Sequence, residues 1–112
     1  MKVISCLLIA WILVTPVAIA DHTITSMGAR SCKVWNDDRK DKDWSALTDE
    51  TWVAGFLTGY VTYDGEDIMK GVRPDAIFVL IDHYCLSNPT ASLYDAANQV
   101  AKGLELRGLH TH

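Results

Sequence analysis

A chain of 112 residues, 49% of them hydrophobic, has room for one small core, and its net charge of −4 at pH 7 has the wrong sign for a nucleic-acid partner. The sequence shows no CxxC pair, no Gly-rich phosphate loop and no Ser/His/Asp motif. Those gaps leave no catalytic residue, no cofactor site and no metal site to name, and an enzyme is the weakest class of function.

The first twenty residues are Lys2, an unbroken apolar run from Cys6 to Val14, the breaker Pro16, and Val17-Ala18-Ile19-Ala20. This is the pattern of a Sec signal peptide cleaved after Ala20, and the run is too short to span a bilayer, so no membrane role is expected. The expected organisation is therefore a leader over 1–20 and one helical domain over 21–112, with its core at about 30–107. Removal of Lys2, the one charged residue of the leader, leaves nine of the 10 basic residues against 14 acidic ones, net −5.

Cleavage also leaves two cysteines, Cys32 and Cys85. An even pair in an exported chain reads most simply as a disulfide, closing a loop of roughly 50 residues and stabilising by about 4 kcal/mol in the chain-entropy model. A zinc or redox site is the alternative reading, but no His stands at ligand spacing to either cysteine.

Every periodic stretch of the mature chain has the helical period, giving an all-α fold: a small four-helix orthogonal bundle with helices near 31–40, 48–63, 74–87 and 89–107. Residues 21–29 read as a polar arm. The first helix should bury Trp35, and the mixed-sign run Asp37 to Asp43 should be a solvated helix end and loop. Trp44 and Leu47 are expected to bring the chain back to the core.

The second helix is the expected centre of the fold. Trp52 to Tyr63 carries no charge, with Trp52, Val53, Phe56, Leu57, Tyr60 and Tyr63 on one arc and Gly55 and Gly59 on the other. Thr48, Asp49 and Glu50 are its N-cap and first-turn candidates, and Gly55 and Gly59 should meet another helix closely. Asp64 to Val72 lacks the ligand spacing of a calcium loop and reads as an ordinary exposed connection.

Pro74 and Asp75 open the third helix, with Ile77, Phe78, Leu80, Ile81, Tyr84 and Cys85 on its core face. Asp75, Asp82 and His83 lie on the outer arc. Val79 and Leu86 stand among them as a possible partner or client surface, to which Trp52 and Phe56 would add if the core opened. Asn88-Pro89 should cap and start the fourth helix, where Leu93, Ala97, Val100 and Leu104 recur, and Gly108 should end it before the tail that carries His110 and His112.

An exported chain with two cysteines some fifty residues apart, an aromatic central helix, and Ile81-Asp82-His83-Tyr84-Cys85-Leu86-Ser87-Asn88-Pro89 followed by Leu93-Tyr94 resembles the Hde-type periplasmic acid-stress chaperones. The resemblance covers roughly Cys32 to Leu104. It implies a small helical protein with a Cys32–Cys85 disulfide, a homodimer near neutral pH, that loosens in acid and holds unfolding client proteins without ATP. Trp52-Val53-Ala54-Gly55-Phe56-Leu57-Thr58-Gly59-Tyr60 is similar instead to the Rap/Tai-type immunity proteins, which bind and neutralise toxins delivered by type VI secretion. The two likenesses set the two expected functions, an acid-stress holdase and, as the alternative, a folded immunity or inhibitor module.

Overall fold

A computed structural model describes residues 25–109 of the chain. The signal-peptide expectation over 1–20, the start of the polar arm and the His110–His112 tail lie outside the described residues. Four α-helices follow one another: α1 Cys32–Asp41, α2 Trp44–Asp64, α3 Pro74–Ser87 and α4 Leu93–Leu109. Among the described residues there is no strand, and no helix is long and apolar enough to cross a membrane.

Three of the four helices start where a local side chain accepts from a free N–H, α3 opening instead at Pro74 without a side-chain cap, and two starts differ from the sequence expectation. The Ser31 hydroxyl accepts from the Val34 N–H at 3.2 Å to open α1. Lys42 then leaves that helix in the left-handed region, φ 48°, its N–H donating to the Asp38 carbonyl. Asp43, not Thr48, caps α2, its carboxylate accepting from the Ser45 N–H at 3.0 Å. The mixed-sign run therefore holds a helix junction of two residues, and α2 gains a turn in front of the charge-free stretch.

The fourth helix begins at Leu93, not at Pro89. Ser92 and Asp95 form a reciprocal box, in which Ser92 Oγ accepts from the Asp95 N–H and the Asp95 carboxylate accepts from the Ser92 N–H, each at 3.1 Å. Pro89 and Thr90 form a turn instead. That turn serves α1, because the Lys33 N–H donates to the Pro89 carbonyl and the Cys32 N–H to the Ala91 carbonyl. With Leu93 N–H donating to the Arg30 carbonyl at 2.8 Å, Ser31 and Ser92 make an isolated antiparallel bridge that ties the starts of α1 and α4 together. Gly108 does not stop α4, which runs to Leu109.

Cys32 and Cys85 are both fully buried and form a disulfide with their Cα atoms 4.8 Å apart, fastening α1 to α3. Around it lie Trp35 from α1, Val53 and Leu57 from α2, Ile77 and Ile81 from α3, and Leu93, Ala96, Ala97, Val100, Ala101 and Leu104 from α4. Three small alanines on α4 let the other helices approach it closely. Ile68, in the connection read as an ordinary exposed loop, is 6% exposed and pins that loop to the core, while Glu66 and Asp67 stay outside.

The central helix is rotated from the expected arc. Its buried stripe is Ala46, Asp49, Val53 and Leu57, whereas Trp52, Phe56 and Tyr60 are half-buried beside it and Tyr63 is 96% exposed. Trp44 and Leu47 point out as well. The close approach expected at Gly55 and Gly59 does not occur, since a Cβ built on either would find no atom within 4 Å. The glycine that does meet a neighbour is Gly28, at φ +80°, where a Cβ would stand 3.2 Å from the Trp52 ring. On α3, Leu80 is 43% exposed in place of buried, and Phe78 and Tyr84 are half-buried.

Candidate functional site

Two neighbouring clusters of charge connect α2 to the rest of the fold, and they include Asp38, Arg39 and Asp82, which the sequence placed on solvated surface. In the first, Arg39 on α1 donates from Nε and Nη2 to the two carboxylate oxygens of Asp82 on α3, at 2.9 and 3.0 Å, and from Nη1 to Glu50 on α2 at 2.6 Å. Asp82 also accepts from the buried Trp35 Nε1 at 2.8 Å, and the Arg39 guanidinium lies 5.3 Å from the centre of the Trp35 ring. One arginine thus joins three helices above one indole. Its two carboxylate partners hold its pKa above the usual arginine value, chiefly through the Asp82 hydrogen bond.

The expected outward position of Asp82 is corrected by this contact. On a helical wheel Asp82 falls beside His83, but it follows the buried Ile81 and accepts from the indole N–H of the fully buried Trp35. His83 is exposed, as expected.

The second cluster is Arg30, Asp38 and Asp49. Arg30 lies just before α1, its Nη1 donating to Asp38 Oδ2 at 3.1 Å and its Nε standing 3.7 Å from Asp49 Oδ1. Asp49 is the one charged residue in the buried stripe of α2, 2% exposed, and its Oδ2 is buried with no hydrogen-bond donor. Burial, with Asp38 beside it and Glu50 adding negative charge, pushes the Asp49 carboxyl up to about 7 even though Arg30 pulls it down.

Sequence reasoning missed Asp49 by treating it as a first-turn acid. The signal was available: Ala46, Asp49, Val53 and Leu57 are spaced by three, four and four residues, so an ionisable group occupies the apolar stripe of a helix.

The four residues singled out as a possible partner or client surface are not brought together. Leu86 is 69% exposed and Val79 47% exposed on α3, Leu86 lining a shallow groove with Lys33, Asn36, Arg39 and Asp82. Trp52 and Phe56 line a separate groove with Met27, Gly55 and Tyr94. There Trp52 stacks on Phe56 at 5.5 Å between ring centres, Phe56 meets Tyr94 edge-on at 5.5 Å, and Trp52 Nε1 donates to the Met27 carbonyl at 2.7 Å. Further along α2, the Tyr60 hydroxyl donates to Glu105 of α4 at 2.7 Å.

Among the described residues no three His, Cys, Asp or Glu side chains are placed to hold a metal ion. No protein-family model, curated protein or solved structure matches the chain.

Proposed function

We propose that this chain is an exported, periplasmic, ATP-independent acid-stress holdase, which binds unfolding client proteins at low pH after α2 loosens from the rest of the molecule. One observation carries the reading, a difference between how α2 is held and how the other three helices are held to each other. The Cys32–Cys85 bond joins α1 to α3, and backbone hydrogen bonds around Ser31 and Ser92 join α1 to α4. None of these links changes with pH in the acid range. Among the described residues, the side-chain hydrogen bonds from α2 to the other helices run through carboxylates, Arg39 with Glu50 and Tyr60 with Glu105, while Trp52 bonds the Met27 carbonyl ahead of α1.

Acid at about pH 2–3, below the usual carboxylate range near 4, removes these charges. The Arg39 ion pairs are lost and the Tyr60 hydrogen bond loses its charged acceptor. Full protonation of the 14 carboxylates and four His residues brings the mature chain to about +13. Self-repulsion then opposes the compact state, while the disulfide keeps the expansion bounded. A released α2 would uncover its own Val53 and Leu57 and the part of the apolar core that they help to fill. Apolar surface on a highly charged, soluble chain is the physical combination a holdase requires.

A second reading is a folded immunity or inhibitor module that binds an exported toxin at neutral pH. It is supported by Leu86 and Val79, exposed on the outer side of a helix that the disulfide holds rigid. One pair of measurements separates the two: light scattering of an acid-denatured client with and without the purified protein, and tryptophan fluorescence over the same pH range. The holdase reading expects scattering to fall at about pH 2–3 as the emission of the buried Trp35 shifts to the red. Native-like fluorescence down to about pH 2 with undiminished scattering would overturn it in favour of the folded binder.

A further inference from the structure

We propose that Asp38 and Asp49 share a single proton in the folded protein, making a latch between α1 and α2 that is tighter in mild acid than at neutral or alkaline pH. The latch stands apart from client holding and would operate whatever the protein binds.

The geometry leads there directly. Asp49 faces inward from α2 at 2% exposure, and its Oδ2 has no donor. Asp38 of α1, another carboxylate, stands against the same Arg30 and, after burial, is the neighbour that raises the Asp49 pKa most. Two neighbouring carboxylates, one of them buried, repel when both are charged, and a proton on one turns an acceptor into a donor for the other. Arg30 does not remove the problem, because it is committed to Asp38 at 3.1 Å and stands 3.7 Å from Asp49, with its own side chain 46% exposed. The remaining group acting on Asp49 is Glu50, its neighbour on α2, which adds negative charge although its own carboxylate is held by Arg39. The arrangement has one cation, half in solvent, for two acids, one of them buried. Protonation of the pair is the state in which every buried oxygen has a partner.

The sign follows from linkage. An acid whose folded pKa is raised from 3.8 to about 7 binds its proton more tightly folded than unfolded, so its contribution is complete below about pH 4 and is lost as pH rises through about 7. Acidification from neutral therefore first tightens the α1–α2 contact. The latch would set a threshold, holding α2 closed through mild acid.

The test is urea unfolding of the purified protein at about pH 8 and pH 5, with the parent, Asp49→Asn, Asp38→Asn and His83→Gln compared. The parent's folding constant should rise by about tenfold or more from pH 8 to pH 5. Asp49→Asn supplies a permanent donor, so it should flatten that rise and be at least as stable as the parent at pH 8; Asp38→Asn should flatten it too. His83→Gln should leave the rise unchanged. Carboxyl carbon NMR of the unmodified protein gives an independent reading, with one aspartate titrating near neutral pH. A parent whose stability is constant or falls from pH 8 to pH 5, a rise that survives Asp49→Asn, or aspartates that all titrate in the usual range would each overturn the latch.

Discussion

Arg39 grips Asp82 with two nitrogens of its guanidinium, Nε on Oδ1 at 2.9 Å and Nη2 on Oδ2 at 3.0 Å, linking α1 to α3 with the guanidinium 5.3 Å from the Trp35 ring centre. Arg39→Lys keeps the charge but replaces two fixed bonds with one mobile ammonium, and should cost about 1–2 kcal/mol in urea unfolding. Asp82→Ala should cost more, about 2–3 kcal/mol, because it also leaves the buried Trp35 N–H without its acceptor. Equal costs for the two variants would show that the indole hydrogen bond adds nothing.

Reduction of the Cys32–Cys85 bond should lower stability by about 3–4 kcal/mol, since the two residues are separated by 53 positions and the unfolded chain regains that loop's freedom. The measurement is the urea midpoint with and without a thiol reductant. Thiol titration of the native protein should find neither cysteine reactive, both being fully buried and bonded.

The glycines of α2 should behave in the opposite way to a packed pair. Gly59 is exposed with open space where a Cβ would sit, so Gly59→Ala should raise stability by up to about 1 kcal/mol through helix propensity alone. Gly28→Ala should be destabilising by about 1 kcal/mol or more, because position 28 has φ +80° and an added methyl would press on the Trp52 ring at 3.2 Å. Thermal unfolding of the two variants checks both signs together.

Ser92→Ala should destabilise by about 1 kcal/mol, removing the acceptor that starts α4 and one half of the Ser92–Asp95 box. Asn88→Ala should cost less. Its side chain donates to the Tyr84 carbonyl at the exposed end of α3 and caps no helix start. A larger loss at Asn88 than at Ser92 would return the helix start to Pro89.

Tyr60 should ionise late. Its hydroxyl donates to Glu105, and that hydrogen bond, with burial and the negative charges of Glu105 and Asp64, pushes its pKa up to about 12 from the usual 10. A raised folded pKa means the contribution is complete below the unfolded value near 10 and is lost as pH rises through 12. Ultraviolet titration should show a late-ionising tyrosine that disappears in Tyr60→Phe, and that variant should lose less stability than the parent across the same alkaline window.

The helical period of the apolar residues and the pair of cysteines were enough to read four helices and the disulfide, because both are consequences of local spacing and chain chemistry. Helix faces were legible wherever the apolar stripe was narrow, as in α4, where Leu93, Ala97, Val100 and Leu104 are all buried as their spacing requires. In α2 the stretch without charge is apolar or small nearly all round, so the aromatic arc read from the spacing was not the side that became buried. The rotation was then decided by what α1 and α4 offered, and Val53 and Leu57 went inside while Tyr63 went out.

The charged residues followed the same division. Sequence alone determined that Arg39, Glu50 and Asp82 can ionise, and that Asp49 sits in phase with Ala46 and Val53. Only the tertiary structure decided that Arg39 bridges three helices and that Asp49 meets Asp38, because both contacts join residues distant in sequence. Their energies depend on burial and on who else is present, and neither property exists until the helices have packed.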